Sequence, residues 1–279
     1  MDHPPPSAAA DGGGWGYFYC SMSAKKSLGQ HFLTSKKIVS DIILQAALSK
    51  TDTVLEIGPG KGILTEALLQ NAGRVIVIEK DRELIPLLET KFKDEIGNDT
   101  LELICDDVLN LSLNMITKGD YKVVANIPYN ITGELLRKLL SGTHQPTHMV
   151  LMVQKEVAER ITCRDGKHSI LSLSVAAYGT PNYVRTVPKK IFKPAPKVDS
   201  AILCVENISR AFFKDINEEK FFTLIKAGFL HKRKFLLRNV EPLFEEVHNV
   251  FTMCNIDAKA RAETIPLQQW KCLYYKMNG

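Results

Sequence analysis

The sequence predicts an α/β protein: a doubly wound, mainly parallel sheet followed by a smaller, all-helical carboxyl-terminal part. Three observations predict it. Short β-branched runs alternate with segments of helical period between residues 53 and 153, the pattern of successive βαβ units. A glycine-rich turn joins the first of these runs to the helix that follows, as in nucleotide-binding sheets. Past Asn207 the apolar residues recur only at helical spacing: Phe221, Phe222, Leu224, Ile225 and Phe229, then Leu236, Leu237, Val240, Leu243 and Phe244.

The elements follow in order. Residues 1–24 read as a disordered extension, with Pro4-Pro5-Pro6, Ala8-Ala9-Ala10 and Gly12-Gly13-Gly14 and no Lys or Arg before Lys25. Secretory and mitochondrial leaders both need basic residues, so neither is expected. Ser35 caps a helix in which Ile38, Val39, Ile42, Ile43, Ala46 and Ala47 share one face. Strand 53–57, helix 61–70, strand 74–79, helix 81–92, strands 101–105 and 121–126, helix 132–140 and strand 148–153 come next. Helical Lys155–Ile161 and Ser169–Tyr178 precede strands near 183–187 and 198–206, whose Pro-rich link suggests an antiparallel end to the sheet. The expected division is a catalytic domain over 25–206 and a helical domain over 207–279, with the boundary near 206–216.

Composition narrows the class. Of 279 residues, 45% are hydrophobic and 24% charged, which is ordinary for a globular chain. No apolar run approaches the ~20 residues needed to span a membrane. The six cysteines are scattered without a C-x-x-C pair, which argues against a zinc site or a disulfide framework and fits a reducing, cytoplasmic setting. Charge is uneven. Residues 181–279 hold 17 Lys and Arg against 10 Asp and Glu, a net of +7, whereas the other 180 residues hold 19 against 21. A near-neutral first part with a basic tail suits catalysis in one region and polyanion docking in the other.

Two motifs carry chemistry. In the first, strand Thr53–Ile57 runs into Gly58-Pro59-Gly60-Lys61-Gly62 and then a helix. Glycines let backbone approach a ligand closely. The third glycine of a dinucleotide turn is replaced by Ile63, so a ligand lacking a pyrophosphate, such as S-adenosylmethionine (SAM), fits better. Glu79 ends the next strand, where ribose hydroxyls are held in such sheets. In the second motif, the apolar run Val123-Val124-Ala125 delivers Asn126-Ile127-Pro128-Tyr129 to the carboxyl edge of the sheet. The Asn126 side-chain oxygen and a main-chain carbonyl near Pro128 can each accept a hydrogen from a planar amine such as adenine N6, and Tyr129 offers a stacking face.

Five motifs now stand in order: Lys26-Ser27-Leu28-Gly29-Gln30-His31-Phe32-Leu33, Glu56-Ile57-Gly58-Pro59-Gly60, Asp107-Val108-Leu109, Asn126-Ile127-Pro128-Tyr129, and Phe192-Lys193-Pro194-Ala195-Pro196-Lys197-Val198-Asp199-Ser200. Over roughly residues 25–245 the chain resembles the small-subunit ribosomal RNA adenine N6-dimethyltransferases, the kasugamycin-sensitivity methylases. The resemblance implies a Rossmann-like SAM-dependent methyltransferase sheet with a helical RNA-binding domain. It implies that Gln30, His31 and Leu33 close over SAM, that Gly58 and Gly60 approach its methionine part, and that Glu79 binds its ribose. Asp107, whose register Asp-Val-Leu sets against neighbouring Asp106, would hold the cofactor adenine. Asn126 would touch both cofactor and target amine, and Phe192 would stack on the target base opposite Tyr129.

By the same resemblance the substrate is small-subunit rRNA in an immature 30S-type particle, met by a monomer that dimethylates two adjacent adenines near the 3′ end. Lys189, Lys190, Lys193 and Lys197 around Phe192, and Lys232, Arg233, Lys234 and Arg238 in the tail, are expected to grip RNA phosphates. Two alternatives share parts of the pattern: a large-subunit rRNA adenine methylase of the macrolide-resistance type, and an assembly factor with vestigial activity. Lys226-Ala227-Gly228-Phe229, Lys232-Arg233-Lys234 and Leu236-Leu237-Arg238-Asn239 favour the small-subunit enzyme over the first, and intact Gly58 and Asn126 favour catalysis over the second. No metal centre is expected.

Overall fold

A computed structural model describes residues 30–278 of the chain. The expected extension over 1–24 and the start of the first motif, Lys26 to Gly29, lie outside the described residues.

Among the described residues, nine strands and twelve α-helices follow one another. They are β1 (Phe32–Leu33), α1 (Lys36–Ala46), β2 (Thr53–Ile57), α2 (Ile63–Asn71), β3 (Arg74–Glu79), α3 (Ile85–Lys91), α4 (Lys93–Gly97) and β4 (Leu101–Cys105). Then come α5 (Leu113–Ile116), β5 (Lys122–Asn126), α6 (Thr132–Ser141), β6 (His148–Gln154), α7 (Lys155–Ile161), α8 (Ile170–Ala176), β7 (Thr180–Val187), β8 (Phe192–Lys193) and β9 (Ser200–Glu206). Four helices close the chain: α9 (Glu218–Gly228), α10 (Leu236–Val240), α11 (Val247–Met253) and α12 (Leu267–Asn278).

Local chemistry explains the main boundaries. The Ser35 side chain accepts from Ile38 N and starts α1, satisfying one of the amides that a helix start leaves unpaired. Ser169 and Ser172 make a reciprocal capping box at α8. The Asn217 side chain accepts from Lys220 N and starts α9. In β2, β3, β5 and β6 the central residues are buried on both faces, as expected of strands covered by helices on each side.

Seven strands form one sheet in the order β4-β3-β2-β5-β6-β9-β7. β4 to β6 are mutually parallel, while β9 runs antiparallel to β6 and β7 antiparallel to β9. Strand order reverses between β2 and β5, the switch point beyond whose carboxyl ends open α/β sheets hold ligands. The glycine turn leaves β2 and Asn126 ends β5, so both motifs arrive there. A separate two-stranded ribbon pairs β1 with β8, Phe32 opposite Lys193 and Leu33 opposite Phe192.

Two buried apolar clusters lie on the two faces of the sheet. The smaller joins α1, α2 and α3 residues such as Ile42, Leu64 and Leu88 to Val77, Val150 and Ile202. The larger runs from Leu135, Leu151 and Leu203 into the helical region, through Tyr178 and Phe213 to Phe221 and Trp270. Gly228 is required at that far end, because a Cβ there would meet Trp270 at 2.3 Å.

Cysteine usage needs correction. Cys254, at the end of α11, and Cys272, in α12, form a disulfide with Cα atoms 5.7 Å apart, although the sequence argued against disulfides. The 18-residue separation carries no spacing signal; packing of α12 against α11 brings the two together. Cys105, Cys163 and Cys204 are free. With a disulfide present, cysteine usage no longer argues for a reducing compartment.

Candidate active site

A cavity opens at the switch point, lined from four directions: by Gln30 to Leu33, by the loop after β2, by Glu79 and Lys80 at the end of β3, and by Asp106 to Val108 after β4. Asn126 to Ile131 close the side next to β6. Gln30, His31, Leu33, Gly58, Gly60, Glu79, Asp107, Asn126, Pro128 and Tyr129 therefore converge on one space from segments almost 100 residues apart.

The glycine loop is built from left-handed backbone, with φ of 67° at Gly58 and 59° at Gly60. At Gly60 an added Cβ would also stand 2.8 Å from the Phe32 ring. Only glycine suits that combination.

Asn126 is held in one orientation. Its Nδ2 donates to the His31 carbonyl at 3.2 Å, which leaves Oδ1 as the acceptor available to the cavity. His31 Nδ1 donates to the Pro194 carbonyl at 2.8 Å, and its ring stacks on Tyr129 with centroids 5.7 Å apart. The Tyr129 hydroxyl is tied to Ser200 Oγ at 2.6 Å, and burial raises its pKa.

The acids differ in their surroundings. Glu79 Oε1 accepts from Asp81 N at 2.7 Å, and burial raises the Glu79 pKa. Asp107 Oδ2 meets Lys80 Nζ at 2.8 Å and its Oδ1 accepts from Leu109 N; the Lys80 contact, and then the backbone bond, lower its pKa. Asp106 Oδ1 accepts from Asp107 N at 2.6 Å, and both acids reach the cavity.

One group escaped sequence reasoning. Glu56, next to last in β2, lines the cavity while only 1% exposed. Neither its Oε2 nor Oγ1 of buried Thr65 completes a well-aligned hydrogen bond. Burial pushes the Glu56 carboxyl up to about 8; the nearby Thr65 hydroxyl, and then Lys91, oppose the effect, and the neighbouring Glu79 charge adds to it. The available signal was a charge inside an otherwise apolar strand.

Phe192 is a correction. It is 2% exposed and packs in the smaller apolar cluster, away from the cavity lining. Alternation along β8 sends Phe192 inward and Lys193 outward, so in this conformation its ring is not available to a base. The expected RNA-contacting residues Lys189, Lys190, Lys193, Lys197, Lys232, Arg233, Lys234 and Arg238 are all exposed. Among them Arg238 pairs with Glu241 at 3.2 Å, and Lys189 Nζ donates to the Lys197 carbonyl.

Residues 21–278 match the family described as ribosomal RNA adenine dimethylase. The chain belongs to that family. It is 42% identical to ribosomal RNA small subunit methyltransferase A of Dehalococcoides mccartyi (strain CBDB1) over 266 residues, covering 92% of this chain and 90% of the relative. It is 38% identical to the protein of the same name from Thermosynechococcus vestitus, over 90% of this chain and 96% of the relative. Among solved structures, a dimethyladenosine transferase from Plasmodium falciparum superposes with a TM-score of 0.75 at 28% identity, over 89% of this chain and 98% of that one. The 23S rRNA methyltransferase ErmE shares the fold with the same TM-score at 24% identity, over 89% of this chain and all of that one.

Membership makes the chain an rRNA methyltransferase whose methyl donor is SAM. The cavity suits such a donor. An orphaned carboxylate oxygen at Glu56 and the acids Glu79, Asp106 and Asp107 give it a donor set for a cation that also carries hydroxyls and an amine. Among the described residues, no helix is long and apolar enough to cross a membrane.

Proposed function

We propose that the protein methylates N6 of two adjacent adenines near the 3′ end of small-subunit rRNA, placing two methyl groups on each. It acts as a monomer on an immature 30S-type particle. The observation that carries the reading is the pinned Asn126 amide, whose Oδ1 is left as an acceptor at the mouth of a SAM-type cavity. The names of the relatives point to the small subunit rather than the large.

Each residue has a role under this reading. The cofactor supplies a methyl group made electrophilic by its sulfonium. Glu79 holds ribose hydroxyls, Asp107 the cofactor adenine, and the Gly58 and Gly60 backbone the methionine part. Glu56 provides negative charge opposite the positive part of the cofactor. Asn126 Oδ1 and a main-chain carbonyl near Pro128 accept the two hydrogens of the target N6 and aim its lone pair at the methyl group. No strong base is needed, since the alkylated amine is acidic enough to give its proton to water. Catalysis is therefore mostly positioning and charge complementarity. Tyr129 supplies the stacking face for an adenine turned out of its helix.

RNA docking falls to residues 207–279 together with the rim of the cavity. A groove of about 1070 Å³ runs between α7–α8 and the helical region, lined by Lys155, Arg160, Arg164, Lys167, Lys232 and Phe229 among others. Three of its cations are paired with acids of the same groove, Lys155 with Glu159, Arg160 with Glu156 and Lys167 with Glu263, so the surface for phosphates rests on the exposed Lys189–Lys197 and Lys232–Arg238 groups. Phosphates position RNA without reading its bases. Transfer of labelled methyl from SAM tests the whole reading. Label is expected in small-subunit rRNA of immature particles, at up to four methyls per RNA. Label in large-subunit RNA instead would overturn the choice of substrate.

A further inference from the structure

The fold assembles metal-ligating groups that are far apart in the sequence, at the edge of the sheet away from the cofactor cavity. His148 opens β6 and Glu206 closes β9. The antiparallel register pairs Met149 with Val205 and Val150 with Cys204, so His148 stands across from Glu206, with Cys204 on the same face. His148 Nε2 lies 3.5 Å from Cys204 Sγ and 3.0 Å from the Gln45 carbonyl oxygen. The imidazole nitrogen, the sulfur and a Glu206 carboxylate oxygen all lie within 4.8 Å of one another.

These separations are those of ligands around one ion. With Zn–S about 2.3 Å and Zn–N about 2.0–2.1 Å in tetrahedral geometry, a sulfur and a nitrogen ligand stand roughly 3.6 Å apart. Glu206 is exposed; its Oε2 accepts from the Asn182 amide at 2.8 Å, and a small rotation about that bond brings Oε1 the remaining distance. Gln45 lies in the last turn of α1, where carbonyls lack helical partners and the helix end is negative. Lys122 Nζ takes the neighbouring carbonyls of Ala46 and Ala47 and leaves that of Gln45 to His148.

We propose that His148, Cys204, Glu206 and the Gln45 carbonyl form a structural site for one divalent cation of the zinc class. The site clasps α1, β6 and β9 where the parallel sheet turns antiparallel. Four residues of strand rise separate His148 from Met152, which pairs with Asn126, about 13 Å at ~3.3 Å per residue. The ion is therefore a staple for the fold and takes no part in methyl transfer. Binding releases the Cys204 thiol proton to solvent, and the proton that His148 Nε2 donates to the Gln45 carbonyl is replaced by one on Nδ1, so that Nε2 offers a lone pair.

Cobalt(II) titration of the full-length chain tests the site. One cobalt per chain is expected, with a thiolate-to-cobalt charge-transfer band that equimolar zinc removes. Cys204→Ala should abolish the band and Cys163→Ala should keep it. Glu206→Gln, a change on an exposed side chain that the fold tolerates, should weaken cobalt at least tenfold, and zinc should raise the melting temperature of the wild type but not of His148→Ala. Methyl transfer by Glu206→Gln should equal that of the wild type. No charge-transfer band at stoichiometric cobalt, a band that survives Cys204→Ala, or unchanged affinity in Glu206→Gln would each overturn the proposal and leave a plain hydrogen bond from His148 to Gln45.

Discussion

The two ends of the parallel strands put their polar groups to different uses. At the carboxyl ends, Glu56 Oε2 is buried without a well-aligned partner and the Asn126 amide spends one end on His31, leaving the other for the cavity. At the amino ends, Lys122 Nζ reaches the Ala46 and Ala47 carbonyls and Asp52 Oδ2 at once, and the Tyr121 hydroxyl donates to the His144 carbonyl. A buried polar group without a partner costs roughly 1–3 kcal/mol. At the carboxyl ends such a group faces a cavity that a ligand can enter, whereas the unpaired Arg74 Nε and His144 Nε2 at the amino ends lie away from it. Unpaired polarity therefore marks the site only where it coincides with the cavity.

The sharpest way to break this contrast is at Asn126. Asn126→Ala should lower single-turnover methyl transfer by about 10²–10³-fold, the usual loss for a group acting on the reacting centre, while SAM affinity measured by calorimetry changes far less. Near wild-type turnover would remove Asn126 from the chemistry. Next, neutralising Lys232, Arg233 and Lys234 together should flatten the salt dependence of RNA binding by roughly two to three units of log–log slope, at about 0.7–0.9 per phosphate contact. An unchanged slope would move the docking surface elsewhere.

Glu56 gives a smaller effect with a definite sign. Its carboxyl, pushed up to about 8, holds a proton at neutral pH in the free protein, and a cationic ligand favours the ionised form. SAM should therefore bind more tightly as pH rises toward 8, by up to about tenfold per unit, and then level off. Glu56→Gln should weaken binding and abolish this slope. A raised carboxyl stabilises the fold below its unfolded-state pKa and loses that contribution as pH rises through about 8. Glu56→Gln should thus raise the melting temperature more at pH 8.5 than at pH 5. The smallest expected effect on function lies at the other edge. Lys122→Met should cost roughly 1–3 kcal/mol of stability in urea melts and leave methyl transfer at 25 °C unchanged; a fall in turnover would show that the two edges are coupled.

Much of this was legible in the sequence, for physical reasons. Strands 53–57, 74–79 and 101–105 match β2, β3 and β4, because short β-branched runs between glycine and polar turns have few alternatives. Helix starts were less legible. The helix expected from residue 61 begins at Ile63, since Gly60 and Gly62 both take positive φ. The helix expected over 81–92 begins at Ile85, because the Asp81 side chain caps a turn at Glu83 N. The cofactor side of the cavity could be read because each residue sits at a strand end, where position follows from strand order. Phe192 could not, because the strand that turns its ring inward forms only by pairing with β1, more than 150 residues earlier in the chain. The Cys254–Cys272 bridge and the His148–Cys204–Glu206 cluster depend on tertiary pairing alone.

The ribbon of β1 with β8 has a consequence beyond the cavity wall. Phe32 and Leu33 are hydrogen-bonded to Lys193 and Phe192, His31 is bonded to the Pro194 carbonyl, and Thr34 N and Oγ1 both reach the Ile191 carbonyl. Residues 31–33 on the cavity wall, Thr34 after them and the lysine-bearing segment 189–197 are thus tied into one unit. Under the proposed roles, a displacement on the cofactor side is carried across the ribbon to the side offered to RNA.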